Sequence, residues 1–370
     1  MSRTRYVVVG AGLAGAATAW QLARRGADVT VLESFAPGHA FGSSHGSARI
    51  IRRAYADPFY AALTGEAWTD WADLEAETGE QVVTRTGGID FGHEGEVLAV
   101  ARAQAAEGIP HTLYDRAEAT ERWPQFAFSG PVLHHPEAGV LDADRAVLAM
   151  TTRATSLGAT LHTGWTVVDV SARGSGYLLS SASGHAPVEA DVVVVTAGPW
   201  LPELLPALPL DPALLPPLQV TQQTVFHFRA CDNSEWPVFL HRDASFHYGL
   251  PGGADVGPGV IKVGEHDLGE PTTASGRSGT VDPATRGRLL DYVTRHVPGL
   301  LPEPRDEATC LYTNTPTEDF VVDRRAGLVV VSPCSGHGAK FAATIGRVAA
   351  ELATGARPTT PAPFAFATGS

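Results

Sequence analysis

Two hydrophobic rhythms run along this chain, and residues 1–33 already hold both. Residues 6–9 form a short β-branched run, the pattern of a buried strand. The run ends in Gly10-Ala11-Gly12-Leu13-Ala14-Gly15. Apolar residues then recur at helical spacing through Arg25, with Gly26 as a natural stop. A second strand-like run, residues 28–32, closes on Glu33, 23 residues after the first glycine. Each part has a physical use. Gly10 permits the tight turn, Gly12 lets the backbone approach a pyrophosphate, and Gly15 lets helix and strand pack closely. The helix N-terminus attracts phosphate charge, and Glu33 can accept hydrogen bonds from a ribose. A glycine fingerprint alone is weak, but strand, turn, helix, strand and acid in that order predict a dinucleotide-binding βαβ unit.

Downstream, residues 191–197 (Asp-Val-Val-Val-Val-Thr-Ala) read as a parallel strand buried on both faces. Residues 199–217 alternate Pro with Leu, which suits a rigid crossover better than a helix. Residues 221–228 and 247–264 look like strands separated by glycine turns, as in an antiparallel sheet. Residues 328–331 are another apolar strand, residues 340–353 a helix, and the Pro- and Ala-rich tail after Gly355 is expected to lie extended. The pattern predicts an α/β protein: a Rossmann-like fold assembled from three separated pieces of chain, with an inserted antiparallel β-sheet domain of α+β type.

Composition narrows the function classes. The length of 370 residues suggests two domains, and 44% apolar with 18% charged residues excludes a wholly disordered chain. With 40 acidic against 27 basic residues and a net charge of −13, nucleic acid is not an expected partner. No apolar run reaches the roughly 18 residues that span a bilayer, so no membrane partner is expected either. The strand pattern begins too early to leave room for a signal peptide, and three cysteines make no disulfide framework, which points to the cytoplasm. The cations comprise 25 arginines and only two lysines, Lys262 and Lys340. Where surface lysines have been replaced so thoroughly, those two mark positions at which a compact ammonium matters; chance survival is the plain alternative.

The remaining constellations differ in weight. Gly42-Ser43-Ser44-His45-Gly46 matches the nucleophile-elbow pattern literally, but it sits in a polar loop rather than between strand and helix, so hydrolase chemistry is rejected. That loop can instead offer N–H groups and Arg49 to an anionic cofactor. His134-His135 has no carboxylate or cysteine at ligand spacing, so no metal site is expected, and a turn with two partly exposed imidazoles is the simpler reading. His227, His241 and His247 are expected in a core or pocket wall. Cys310 alone would be a small buried residue. Residues 335–340 (Ser-Gly-His-Gly-Ala-Lys) read as a cofactor loop before a helix.

On these residues the chain resembles the flavin-dependent amine oxidases of the monomeric sarcosine oxidase and N-methyltryptophan oxidase family, within the D-amino-acid-oxidase-like group. The resemblance covers nearly the whole chain. It rests on the glycine fingerprint, residues 42–55, Tyr248-Gly249 with Lys262-Val263-Gly264-x-His266, Cys310-Leu311-Tyr312-Thr313, and residues 335–341. The last two blocks are the more specific, because unrelated dinucleotide folds lack them. The resemblance implies FAD, joined through a thioether from Cys310 to its 8α carbon. It implies that Lys262 activates O2, that Arg52 and Lys340 hold a substrate carboxylate, and that Arg49 lies close to the flavin ring. Tyr248, His266 and Tyr312 would line the substrate cavity and tune protons. Beside Gly10, Gly12, Gly15 and Glu33, the cofactor contacts would take in Ser44, His45 and Arg49 from one loop and Gly336, His337, Gly338 and Lys340 from another.

The implied architecture is an FAD-binding domain from residues 1–85, 141–218 and 319–370, with a substrate domain from 86–140 and 219–318. The implied activity is oxidation of a secondary or cyclic α-amino acid to its imine, with O2 reduced to H2O2; family likeness favours a monomer. A flavin-dependent amine dehydrogenase, a pipecolate-type oxidase of a biosynthetic pathway and a non-catalytic dinucleotide-binding protein are the alternatives. Two departures point away from sarcosine itself. The spacing from Tyr248 to Lys262 is longer, with Gly252-Gly253 and Gly257-Pro258-Gly259, and Leu240-His241-Arg242 replaces a more apolar stretch. Both suit a larger, cyclic or more polar amino acid.

Overall fold

Alternating valines build the central layer. The computed structural model describes residues 3–266 and 269–367. A six-stranded sheet runs in the order Val321–Arg325, Leu328–Ser332, Val192–Val195, Arg5–Val9, Asp28–Leu32 and Thr160–His162. All neighbours are parallel except the edge strand Val321–Arg325. Successive side chains of a strand face opposite ways. Accordingly Val8, Val192 and Val194 pack against the helices Leu13–Arg24, Ala143–Ser156 and Ala342–Thr354. Val7, Val9, Val193 and Val195 pack the other way, onto Trp165, Val170 and Leu179 beneath a three-stranded sheet. Being buried on both faces is why residues 192–195 are valine throughout.

The second large sheet has nine strands. Its long spine, Gln219–Ala230, pairs along one edge with Val260–Glu265 and Glu270–Thr272, and along the other with Leu300–Asn314. The order continues through Phe246–Pro251, Val238–Arg242, Gly88–Gly92, Val132–His135 and Thr112–Tyr114. Pairing is antiparallel except between Val238–Arg242 and Gly88–Gly92. Those two strands come from distant stretches of chain, so no hairpin constrains their direction. Phe91, Phe126, Phe226, Phe228 and Phe239 fill the core behind this sheet, with helix Pro283–His296 against them. A small sheet of Arg49–Arg52, Ala138–Leu141 and Val83–Arg85 completes the set.

Three local expectations are corrected. Residues 199–217 are not a plain crossover; they make short helical turns at Gly198–Trp200, Leu201–Leu204, Leu205–Ala207 and Pro212–Leu214. Proline is tolerated there because each sits in a first turn, where its missing N–H costs nothing. The tail carries a further turn, Ala362–Phe364, which buries Phe364. His134 and His135 lie in a strand, not a turn, and His135 is wholly buried with Nε2 2.8 Å from the Asp90 carboxylate.

The glycine turn is set by contact as well as by conformation. Gly10 has φ +96°, in the region that favours glycine. A Cβ on Gly15 would stand 1.9 Å from the Gly10 carbonyl oxygen and 2.5 Å from Thr196 Oγ1. Gly15→Ala should therefore cost about 1–3 kcal/mol, the usual cost of overpacking. Thermal unfolding of the variant should show a midpoint several degrees lower and weaker retention of any bound nucleotide; an unchanged midpoint contradicts the packing.

Candidate active site

One cavity of about 810 Å³ is lined both by the glycine turn and by the distant blocks that the sequence singles out. At the glycine end, helix Leu13–Arg24 begins at Gly12 with no side-chain cap. Its first N–H groups are thus left for a ligand, apart from Leu13 N–H, which donates to Ser44 Oγ at 3.1 Å. Glu33 is 4% exposed, and its carboxylate accepts from Ala11 N–H at 2.7 Å and Phe35 N–H at 2.8 Å. Each oxygen retains lone pairs for further donors. Gly15 packs behind this wall rather than on it.

The middle is built by two strands and a loop. Lys262, on Val260–Glu265, is 8% exposed and donates from Nζ to the Ala48 carbonyl at 3.1 Å. Burial, with Arg49 acting in the same direction, lowers its amine to about 7, against an opposing pull from Cys310, Asp255 and Asp144. Cys310 stands partly buried on Leu300–Asn314, opposite Gln223 of the sheet's spine. Burial lifts Tyr248 to about 12 and Tyr312 well above 10, so both stay neutral phenols. Arg49 braces its own loop, donating to the carbonyls of Ser43, His45 and Ala48. His45 is not on the cavity wall: burial lowers its imidazole to about 4, and Nε2 makes no hydrogen bond among the described residues.

The far end gathers cations. Arg52, on Arg49–Arg52, is 5% exposed, its guanidinium lies 4.5 Å from the Tyr55 ring centroid, and Nη1 is buried without a described acceptor. Lys340 Nζ donates to Tyr55 Oη at 2.9 Å and to the His337 carbonyl at 2.7 Å. Burial, followed by the Arg52 and Arg242 charges, holds the Lys340 amine well below its ordinary value. The loop before Lys340 is tightly closed: His337 and Gly338 N–H both donate to the Cys334 carbonyl at 3.0 Å, and Ser335 sits at φ +38°. Strained backbone of this kind collects at functional sites. From outside, Trp71 Nε1 donates to the Lys340 carbonyl at 2.7 Å and pins the turn to helix Pro58–Thr78. Burial, with Lys340 adding, lowers His337 to about 3, so it stays neutral and shares a hydrogen bond with Tyr55 at 3.1 Å. His266 packs against Phe246 and Tyr312 and lies 3.8 Å from Glu318.

Two contributors have no individual role in the sequence pattern. Tyr55, the last residue of the 42–55 block, joins Arg52, His337 and Lys340. Arg242 lines the same end and bonds Asp90 at 2.9 Å. Strand periodicity carried the signal for Arg242: Leu240 and Arg242 line the cavity, while His241 turns back onto Phe91 and Tyr292.

The donor set fits FAD. Uncapped helix N–H groups suit a pyrophosphate, Glu33 suits a ribose, and the cavity continues past Lys262 and Cys310, with room for a ring system. Comparison with known proteins agrees. The family described as FAD dependent oxidoreductase matches residues 5–352. Peroxisomal sarcosine oxidase of Homo sapiens is 32% identical over 94% of this chain and 91% of that protein. N-methyl-L-tryptophan oxidase of Yersinia pestis is 30% identical over 94% of each. The solved structure of NikD, described as an unusual amino acid oxidase essential for nikkomycin biosynthesis, superposes with a TM-score of 0.86 at 25% identity, covering 98% of both chains. The chain belongs to the FAD-dependent oxidoreductase family, among its amine and amino-acid oxidases of sarcosine-oxidase type.

Proposed function

We propose that this flavoenzyme oxidises a secondary or cyclic α-amino acid to its imine and passes the electrons to O2, releasing H2O2. The observation that carries the reading is the single cavity that joins a nucleotide-binding turn, a buried lysine with a neighbouring cysteine, and a buried pair of cations. Bound FAD would supply the two-electron acceptor: the substrate C–H bond breaks, a C=N bond forms, and the electron pair leaves for O2. Gly10, Gly12, Glu33 and Ser44 would hold its nucleotide half, and Cys310 would tether its ring through sulfur.

The chain's own residues divide the remaining work. Arg52 offers a planar fork and Lys340 a point charge to the substrate carboxylate, which fixes the reacting C–H bond. Orientation of this kind is worth up to about 7–11 kcal/mol in ideal cases. An arriving carboxylate also restores the charge on Lys340 that burial suppresses. The substrate amine must be neutral to give up a hydride; the Tyr248 and Tyr312 phenols would hold it by hydrogen bonds, and the His266 imidazole offers a nitrogen for its proton. Lys262 presents an ammonium where negative charge develops on oxygen. The relatives' names support an N-alkyl amino acid as substrate, and the long spacing from Tyr248 to Lys262 supports one larger than sarcosine. A cytoplasmic monomer belongs to the same reading, its monomeric state supported by the monomeric sarcosine oxidases among the relatives.

Three experiments test these roles. Lys262→Met should leave anaerobic bleaching of the yellow colour nearly intact and slow its return under O2 by roughly 100- to 1,000-fold, the usual worth of one preorganised donor. Because Lys262 loses its proton above about pH 7, wild-type reoxidation should fall as pH rises through that value, while the variant is slow and flat. Acid precipitation should leave a yellow wild-type pellet and a colourless Cys310→Ser pellet; two colourless pellets remove the covalent link. Arg52→Ala should raise the substrate KM by at least roughly 10-fold, since charge-assisted hydrogen bonds contribute about 1.5–3 kcal/mol, and an unaffected KM excludes carboxylate binding there.

A further inference from the structure

Arg242 is a cation of the cavity's far end that the proposed reaction leaves unused. Its guanidinium lies 4.6 Å from the Phe246 ring centroid. Nη1 donates to Asp90 at 2.9 Å, Nε lies 3.9 Å from the Glu96 carboxylate, and Nη2 has no acceptor among the described residues. Asp90 is 2% exposed and in turn accepts from His135 Nε2 at 2.8 Å. Although burial pushes the Asp90 carboxyl up, the His135 hydrogen bond and the Arg52 and Arg242 charges outweigh it and hold the group at about 2. His135 reaches this carboxylate because Gly88 stands opposite: a Cβ there would lie 2.3 Å from the imidazole. Asp90 and His135 are therefore a fixed anionic footing that sets the direction of the Arg242 fork.

The charge at this end is unbalanced. Arg52, Arg242 and Lys340 line it above the single buried carboxylate of Asp90. The other carboxylates on the lining are exposed or committed. Asp57 caps helix Pro58–Thr78, Asp319 accepts from Tyr60 Oη at 3.0 Å, Glu318 is about half exposed, and Glu96, 3.9 Å from Arg242 Nε, is about half exposed too. Solvent screens such groups far more than it screens the buried Arg52 and Lys340. One substrate carboxylate on Arg52 and Lys340 still leaves Arg242 with an open donor edge. We propose that Arg242 makes this enzyme selective for amino dicarboxylates, holding a second carboxylate of the substrate while Arg52 and Lys340 hold the α-carboxylate. The proposal rests on the oxidase reading of the same cavity and names its substrate class.

Thioethers test it without turnover, because sulfur in place of the amine nitrogen cannot form an imine. Calorimetric titration of the FAD-loaded enzyme should compare (methylthio)acetate, which has one carboxylate, with thiodiacetate and 2-(methylthio)succinate, which each have two. At least one dicarboxylate should bind roughly 10- to 100-fold more tightly than the monocarboxylate, the worth of a charge-assisted hydrogen bond. The tighter of the two reports whether the second carboxylate sits on the N-substituent or on the side chain. Arg242→Gln should erase the difference, and Arg242→Lys, which keeps a charge beside Asp90 but loses the fork, should keep part of it. Equal Kd values for the three ligands in wild type, no binding by any of them, or an equal loss for all three in Arg242→Gln overturns the inference. Selective dicarboxylate binding in an enzyme that oxidises no N-alkyl amino acid upholds it and overturns the oxidase reading instead.

Discussion

A cation taken out of water without a matching anion loses several kcal/mol of hydration that the protein interior does not return. This cavity does that with Lys262, Lys340 and Arg52, all under a tenth exposed. The first two are displaced from their ordinary values mainly by that burial. Among the described residues Lys262 hydrogen-bonds only to the Ala48 carbonyl, and Arg52 keeps a buried Nη1 without a described acceptor. Such an arrangement is costly for the free protein and favourable once anionic groups enter. A pyrophosphate, a carboxylate and a developing charge on oxygen are the anions that the proposed chemistry brings to it.

Holding the cations in place takes rigid elements on every side. Lys262 and Tyr248 come from adjacent antiparallel strands of the nine-stranded sheet, and Cys310 and Tyr312 from the long strand across its spine. Arg52 lies on the small sheet, with Tyr55 just beyond it, and Lys340 on a turn anchored through Trp71. Backbone pairing fixes the strand residues before any ligand arrives, while Lys340 is held by the Trp71 bond to its turn and Tyr55 by its contacts with Arg52, His337 and Lys340. Thr344 and Arg347 both bind Asp70, which fastens helix Ala342–Thr354 to helix Pro58–Thr78 and steadies the Lys340 turn from behind.

Regular periodicity was the most legible feature of the sequence. The glycine turn, the valine strands and the helices Leu13–Arg24 and Ala342–Thr354 stand where apolar spacing put them, because such spacing is a local property of neighbouring residues. Misreadings arose where tertiary context overrode it. His134-His135 looked like an exposed pair, but cross-strand pairing with Gly88 and the Asp90 carboxylate made His135 a buried one. Pro199, Pro202, Pro206 and Pro212 looked incompatible with helix until each fell in the first turn of a short one. Tyr55 had no signal of its own; its importance comes from His337 and Lys340, which lie far from it in sequence, and from the neighbouring Arg52.

By itself the sequence determined the nucleotide-binding turn, the class of the fold and the chemical identity of each group, since these follow from short-range spacing and from side-chain chemistry. Two surviving lysines in a chain of arginines were visible there too. Only the tertiary structure decided that residues more than two hundred positions apart share one cavity, and that Arg242 faces it while His241 does not. Strand pairing and the packing of two sheets set those distances. They are sums over many weak contacts, and no local stretch of chain encodes them.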